Sequence, residues 1–186
     1  MSTQIEPLMT IEDLDAMPDD GYRYEIIEGE LFVSRAPNLK HQRVSMNITG
    51  LIIPYLARNP IGEILATPGL ILSKYDGVIP DLVFISYEQR DEIASGDRVT
   101  GAPELVIEIV SPGTENEKRD RVAKRQLYGK YGVKEYWVVD PYQRTIEVYA
   151  LKGQTLILEA TFAEADDLVS SVLPGFSCKV ESIFRV

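Results

Sequence analysis

The chain has 186 residues, 45% hydrophobic and 26% charged, an ordinary globular composition that excludes a disordered tail protein and suits one domain over residues 1–186. Its 19 basic residues face 29 acids, and the net charge of −10 speaks against a general nucleic-acid coat protein, because such a body repels phosphates at long range. No apolar run could span a bilayer, Met1–Pro7 carries no secretory pattern, and the lone Cys178 excludes a disulfide framework or a multi-cysteine zinc site, so a reducing cytoplasm is expected.

Along the chain, Thr10-Ile-Glu-Asp13 has capping-box spacing, with Asp in place of Glu, and predicts a short helix ending near Pro18. Tyr22–Ile27 and Glu30–Ser34 read as a hairpin around the turn Glu28-Gly29. Between Asn38 and Ala57, Val44, Ile48, Leu51, Ile52 and Tyr55 recur at helical offsets, and Pro54 is expected to kink or end that helix in its last turn. Glu63–Thr67 and Leu70–Ser73, split by Pro68-Gly69, predict a second hairpin. Asp81–Ser86 reads as a strand and Tyr87–Ala94 as a short acidic helix. Glu104–Val110 is almost wholly apolar and predicts a central strand buried on both faces, broken by Ser111-Pro-Gly113. Glu117–Tyr131 reads as a helix closed by Gly132. Val133–Val139 and Thr145–Leu151 pair through an Asp140–Gln143 turn, and Gln154–Thr161 and Val180–Phe184 add short strands. The expected architecture is α/β, a mixed sheet with the long helix on one face and the second helix on the other or at its edge.

Charge is uneven along this frame. Residues 1–31 hold nine acids and one base, Arg23, whereas residues 115–134 hold seven bases and three acids. That basic strip suits either a polyanion or a solvated helix face. Glu108 is the anomaly, a carboxylate inside Leu105-Val-Ile-Glu-Ile-Val110 on the face of Val106 and Val110. Burying it demands a counter-charge, a hydrogen-bond set or a metal, which points to a functional site rather than a structural ion pair. Asp81 opens the preceding strand. Should the two strands be neighbours, both carboxylates could serve one divalent ion, and two hard oxygens plus waters suit Mg²⁺ or Mn²⁺ better than zinc. Lys124 shares a helical stripe with Asp120 and Tyr128, and it either pairs with Asp120 at the surface or reaches Glu108 and a bound phosphate.

Pro80-Asp81 followed by Glu108 in an apolar strand resembles the Asp and Glu of the PD-(D/E)xK nuclease superfamily. Gly101–Pro112, the run Arg119-Asp120, Lys124, Tyr128, and Gly132–Pro141 together resemble the Uma-type restriction endonuclease family, as do Tyr24–Leu31 and His41. The resemblance covers nearly the whole chain. It implies a restriction-endonuclease-like mixed central β-sheet flanked by helices, and Mg²⁺-dependent hydrolysis of DNA with Asp81, Glu108 and Lys124 as catalytic residues. Asp81 and Glu108, with the carbonyl of Ile109, would hold the metal. Arg119, Arg121 and Arg125 would contact flanking phosphates. The superfamily lysine two residues after the acid is here Val110, and Lys124 on the following helix takes its place. The acid that many members carry on the first helix is also missing. Glu25 could supply it, but is expected to be an exposed hairpin residue. His41, on the stripe of Val44 and Ile48, reads first as a core-edge histidine and second as a site residue. Trp137 and Tyr136 read as core or dimer contacts. By analogy with two-strand cutting a homodimer is expected, joined through strands around Ile183-Phe184.

Two other classes remain open at this level. A catalytically weak or inactive nuclease-fold protein could serve as a binding or regulatory module, a reading that Val110 and the acidic balance favour. A carboxylate-pair glycoside hydrolase would need two acids facing a cleft without a lysine.

Overall fold

The computed structural model describes residues 8–113 and 119–185. Helix α1 (Ile11–Asp15) begins at the expected capping box, with Thr10 Oγ1 accepting from the Asp13 amide and the Asp13 carboxylate accepting from the Thr10 amide. Strands β1 (Arg23–Ile27) and β2 (Glu30–Ser34) form the expected hairpin. Its two turn residues, Glu28 and Gly29, both have positive φ, the twist that a two-residue antiparallel turn needs. Helix α2 (Leu39–Arg58) starts from Asn38, whose Oδ1 accepts from the His41 amide at 3.0 Å.

Helix α2 does not stop at Pro54. The proline is exposed, so the hydrogen bond it forfeits lies on the solvent side, while Ile52, Tyr55 and Leu56 keep the inner face seated to the end. The second expected hairpin does not form either. Among the described residues, strand β3 (Gly62–Ala66) pairs only with β6, and β4 (Leu70–Ser73) turns away into another sheet to pair with β5 (Asp76–Val78). Gly62 is required by close approach, because a Cβ there would sit 2.3 Å from the Ile85 carbonyl and 2.7 Å from the Phe84 ring.

Next come β6 (Leu82–Ser86), α3 (Tyr87–Ile93), the short β7 (Ala94–Ser95) and β8 (Arg98–Val99), and the fully buried β9 (Leu105–Ile109). The predicted basic helix begins outside the described residues. Within them it opens as a π-helical stretch, Arg119–Lys124, and tightens into α4 (Arg125–Tyr131). Gly132 ends it in the left-handed conformation, at φ 91°. Then follow β10 (Glu135–Asp140), β11 (Thr145–Lys152), β12 (Thr155–Ala163), β13 (Asp167–Val169) and β14 (Ser177–Lys179). The segment expected as a last strand is instead helix α5 (Val180–Ile183). Val180 and Ile183 are three apart, face the core together and are buried with Phe184, so no apolar strand there awaits a second copy.

The first sheet has the order β12-β11-β10-β9-β6-β3, with β9 parallel to β10 and antiparallel to β6. The second has the order β2-β1-β5-β4-β8-β7, and although its β1–β2 hairpin was expected, a separate sheet was not. One face of the first sheet packs Leu105, Ile107 and Trp137 against Val44, Ile48 and Ile52 of α2 and the C-terminal Phe176 and Ile183. The other packs Val106, Val110 and Val138 against Leu127 and Tyr128 of α4 and against Ile27, Leu70 and Val78 of the second sheet. The α/β class, the mixed sheet and the opposed helices are therefore as expected, and Tyr136 and Trp137 are core residues with no exposed surface.

Candidate active site

Strands β6 and β9 are neighbours, with Leu82 opposite Ile107, so Asp81 lies beside the end of β9. Its Oδ2 accepts from the Ile109 amide at 2.8 Å and lies 3.0 Å from His41 Nε2, while Oδ1 is 3.6 Å from Arg23 Nη1. Alternation along β9 turns Glu108 to the face covered by α4. There its Oε1 accepts from Lys124 Nζ at 2.9 Å and from the Tyr128 hydroxyl at 2.7 Å. Lys124, only 2% exposed, points inward and also meets Glu25 Oε1 at 2.9 Å and Asp120 Oδ1 at 3.9 Å. Asp81, Glu108 and Lys124 thus line one cavity of about 370 Å³, together with Glu25, His41, Ile109, Arg119 and Asp120.

Two expectations are corrected here. Glu25 is not an exposed hairpin residue. Strand β1 lies between β2 and β5 inside the second sheet, which buries the side chain, and its Oε1 also accepts from the Ile79 amide at 2.8 Å. The Asp120–Lys124 pair is not a surface pair, since both residues are buried. His41 is both core-edge and site-lining. It sits on the buried stripe of α2 and touches Asp81, and its Nδ1 is a buried nitrogen without a hydrogen-bond partner among the described residues.

The three arginines of the basic strip part company. Arg119 lines the cavity, 3.4 Å from Asp120 and 3.8 Å from Glu25. Arg121 turns away and bridges Asp140 at 2.7 Å and Glu147 at 2.5 Å. The Arg125 guanidinium stacks 5.2 Å over the Tyr149 ring. Arg23, Asp120 and Tyr128 at this site had no assigned role from sequence. The Asp120, Lys124, Tyr128 spacing carried the signal for the last two, and for Arg23 the signal was its isolation among nine acids.

Burial dominates the electrostatics. It pushes the Glu108 carboxyl up to about 8, with Lys124 pulling against the rise and Asp81, Asp120 and Glu25 adding to it. Burial raises Asp120 too, against the pull of Lys124 and Arg119. Asp81 goes the other way. Burial alone would raise it, but the His41 contact, the Ile109 amide and Lys124 hold it below the usual carboxylate range. Burial would likewise lower Lys124, yet Glu108, Glu25 and Asp120 outweigh it, so the ammonium stays charged and cannot act as a base.

Four acids, Glu25, Asp81, Glu108 and Asp120, thus share the cavity with three cations, Lys124, Arg119 and the more exposed Arg23. A divalent ion would favour the ionised form of the acids that burial pushes up. Among the described residues, no three His, Cys, Asp or Glu side chains form a ready-made metal cage. Magnesium does not require one, because it commonly binds through one or two carboxylates with waters and substrate phosphate completing its shell. The oxygen donors of Asp81 and Glu108 fit that pattern. Lys124 on Glu108 also removes the lysine-free cleft that a carboxylate-pair glycoside hydrolase would need.

A family model described as Uma2, putative restriction endonuclease, matches residues 11–181. The solved structure of a putative nuclease belonging to DUF820 from Anabaena variabilis superposes with a TM-score of 0.74. It shares 16% identity, over 95% of this chain and 97% of that one, and so shows a common fold. No curated protein matches significantly.

Proposed function

Since the chain belongs to the Uma2 family of putative restriction endonucleases, we propose that it is a magnesium-dependent endonuclease hydrolysing DNA phosphodiester bonds at the Asp81, Glu108 and Lys124 cavity. The observation that carries this reading is the Lys124 ammonium, 2.9 Å from Glu108, which restores from a helix the cation missing at Val110. The family model spans most of the chain, which supports reading residues 1–186 as one catalytic domain.

Asp81 and Glu108 would hold the metal, Mg²⁺ or Mn²⁺. When bound, it supplies Lewis-acid polarisation of the phosphate and a water that is readily deprotonated near neutral pH. Lys124 offsets the charge that grows on the phosphoryl oxygens, acting as a fixed cation in a water-poor site. Glu25 also holds Lys124, at the same 2.9 Å as Glu108, and Tyr128 fixes the Glu108 oxygen that Lys124 touches. His41 and the Ile109 amide both engage Asp81 Oδ2. Arg119, at the cavity wall, offers a second cation to the substrate backbone. Two copies would cut two strands, so a homodimer on DNA belongs to this reading.

The test is cleavage of supercoiled plasmid with and without Mg²⁺ by wild type, Asp81→Ala and Glu108→Gln. We expect metal-dependent cutting by wild type and a loss of about 10²-fold or more in each variant, the scale of losing a principal charge-stabilising group. Equal cutting by all three would remove the assignment.

A further inference from the structure

A second cavity, of about 410 Å³, adjoins the first and shares Arg23, Ala36, Pro37, His41 and Asp81 with it. The two form one groove with the His41–Asp81 pair at its waist. Beyond the waist the lining turns to Gln42, Ser45 and Met46 on the first turns of α2. Met46 is 69% exposed, an apolar surface left open beside two polar side chains.

The stretch of sequence that supplies much of this lining is basic. Residues 31–62 contain Arg35, Lys40, Arg43 and Arg58 and no acid, within a chain of net charge −10. Arg35 is exposed, lines the first cavity and has no ion pair among the described residues. Among the described residues, Arg23, at the waist, has one ion pair, with Asp81 Oδ1 at the long distance of 3.6 Å. By contrast, Arg121 is already bridged to two carboxylates and Arg125 is stacked on a ring.

Resting on the nuclease reading above, we infer that the DNA strand runs along this groove. Arg35 and Arg23 clamp its backbone phosphates, and the Gln42, Ser45 and Met46 cavity receives the nucleotide adjoining the scissile phosphate. Arg121 and Arg125 stay structural. The phosphate-binding rim then reaches from Arg119 to Arg23 on β1 and Arg35 in the β2–α2 connection, and leaves out the rest of the helix that carries Lys124. Met46 gives the neighbouring sugar or base an apolar contact, and Gln42 and Ser45 offer hydrogen bonds to its edge.

The test is anisotropy titration of a labelled DNA duplex with the full chain in Ca²⁺ buffer, repeated across a salt series. Arg35→Ala should bind more weakly, and its slope of log affinity against log salt should be shallower by about 0.9, the share of one phosphate contact on duplex DNA. Met46→Asp should weaken binding about tenfold or more, whereas Ile53→Asp, further along the outside of α2, should not. An unchanged slope in Arg35→Ala, or equal effects of Asp at 46 and 53, overturns the groove assignment. Binding that follows the expected pattern in a chain that cuts no plasmid sinks the nuclease reading and keeps the groove. Absence of any duplex binding by wild type sinks both.

Discussion

Lys124 is a cation with almost no contact with water and three carboxylates around it. Such a group cannot simply be removed, because its partners would remain buried and unpaired. Lys124→Met should therefore abolish cutting and also lower stability by about 3–5 kcal/mol, read as a lower urea midpoint at unchanged m-value. Glu108→Gln, which removes one acid from an over-acidic cluster, should be as stable as wild type though inactive. The pair of variants separates what the site needs for chemistry from what it needs for folding. At this scale the sequence was legible where a residue broke its local pattern. Glu108 stands out as a charge in an apolar strand, and Lys124 as a lysine on the stripe that faces it. Glu25 was misread as exposed because its surroundings come from β5, far along the chain, and the contact between His41 and Asp81 likewise joins segments distant in sequence.

Elements were legible wherever their periodicity was their own. Strand β9, helix α2 and the α1 capping box all depend on local pattern. The failures have a common cause in tertiary context. Strands β3 and β4 look like a hairpin until each finds a better neighbour, and Val180–Phe184 carries a pattern too short to tell a strand from one helical turn. The second sheet was missed because its extra strands, β5, β7 and β8, are only two or three residues long. Strand β5 nevertheless holds a tie that binds three elements. Asp76 accepts from the Glu28 amide at 2.7 Å in the hairpin turn, from Ser73 Oγ at 2.7 Å and from the Tyr131 hydroxyl at 2.7 Å at the end of α4. Burial alone would raise its pKa. The three hydrogen bonds and the charge of Lys130 outweigh that and hold it below 3.8. A carboxyl depressed in the folded state stabilises the fold above its unfolded pKa, and that contribution is lost as pH falls through the folded value. Asp76→Asn should accordingly lower stability at pH 7 and flatten its decline below pH 3.8, as followed by urea denaturation at a series of pH values.

Over the whole molecule, the net charge argued against a general nucleic-acid coat protein, yet it averaged regions of opposite character. An acid-free stretch from 31 to 62 supplies part of the lining of the proposed groove, while residues 1–31 carry nine acids, and a total cannot report such a division. No helix among the described residues is long and apolar enough to cross a membrane. If two copies act on one duplex, linear plasmid should rise more steeply with protein concentration than nicked circles do. Parallel rises would mean independent single-strand cuts. One feature couples shape and chemistry at this scale. Glu25 belongs to the second sheet and Glu108 to the first, and the same ammonium fastens to both. Lys124 is thus a clasp across the seam between two layers. Parting the two sheets would therefore break both ion pairs at once, so the buried cluster and the packing of the layers stand or fall together.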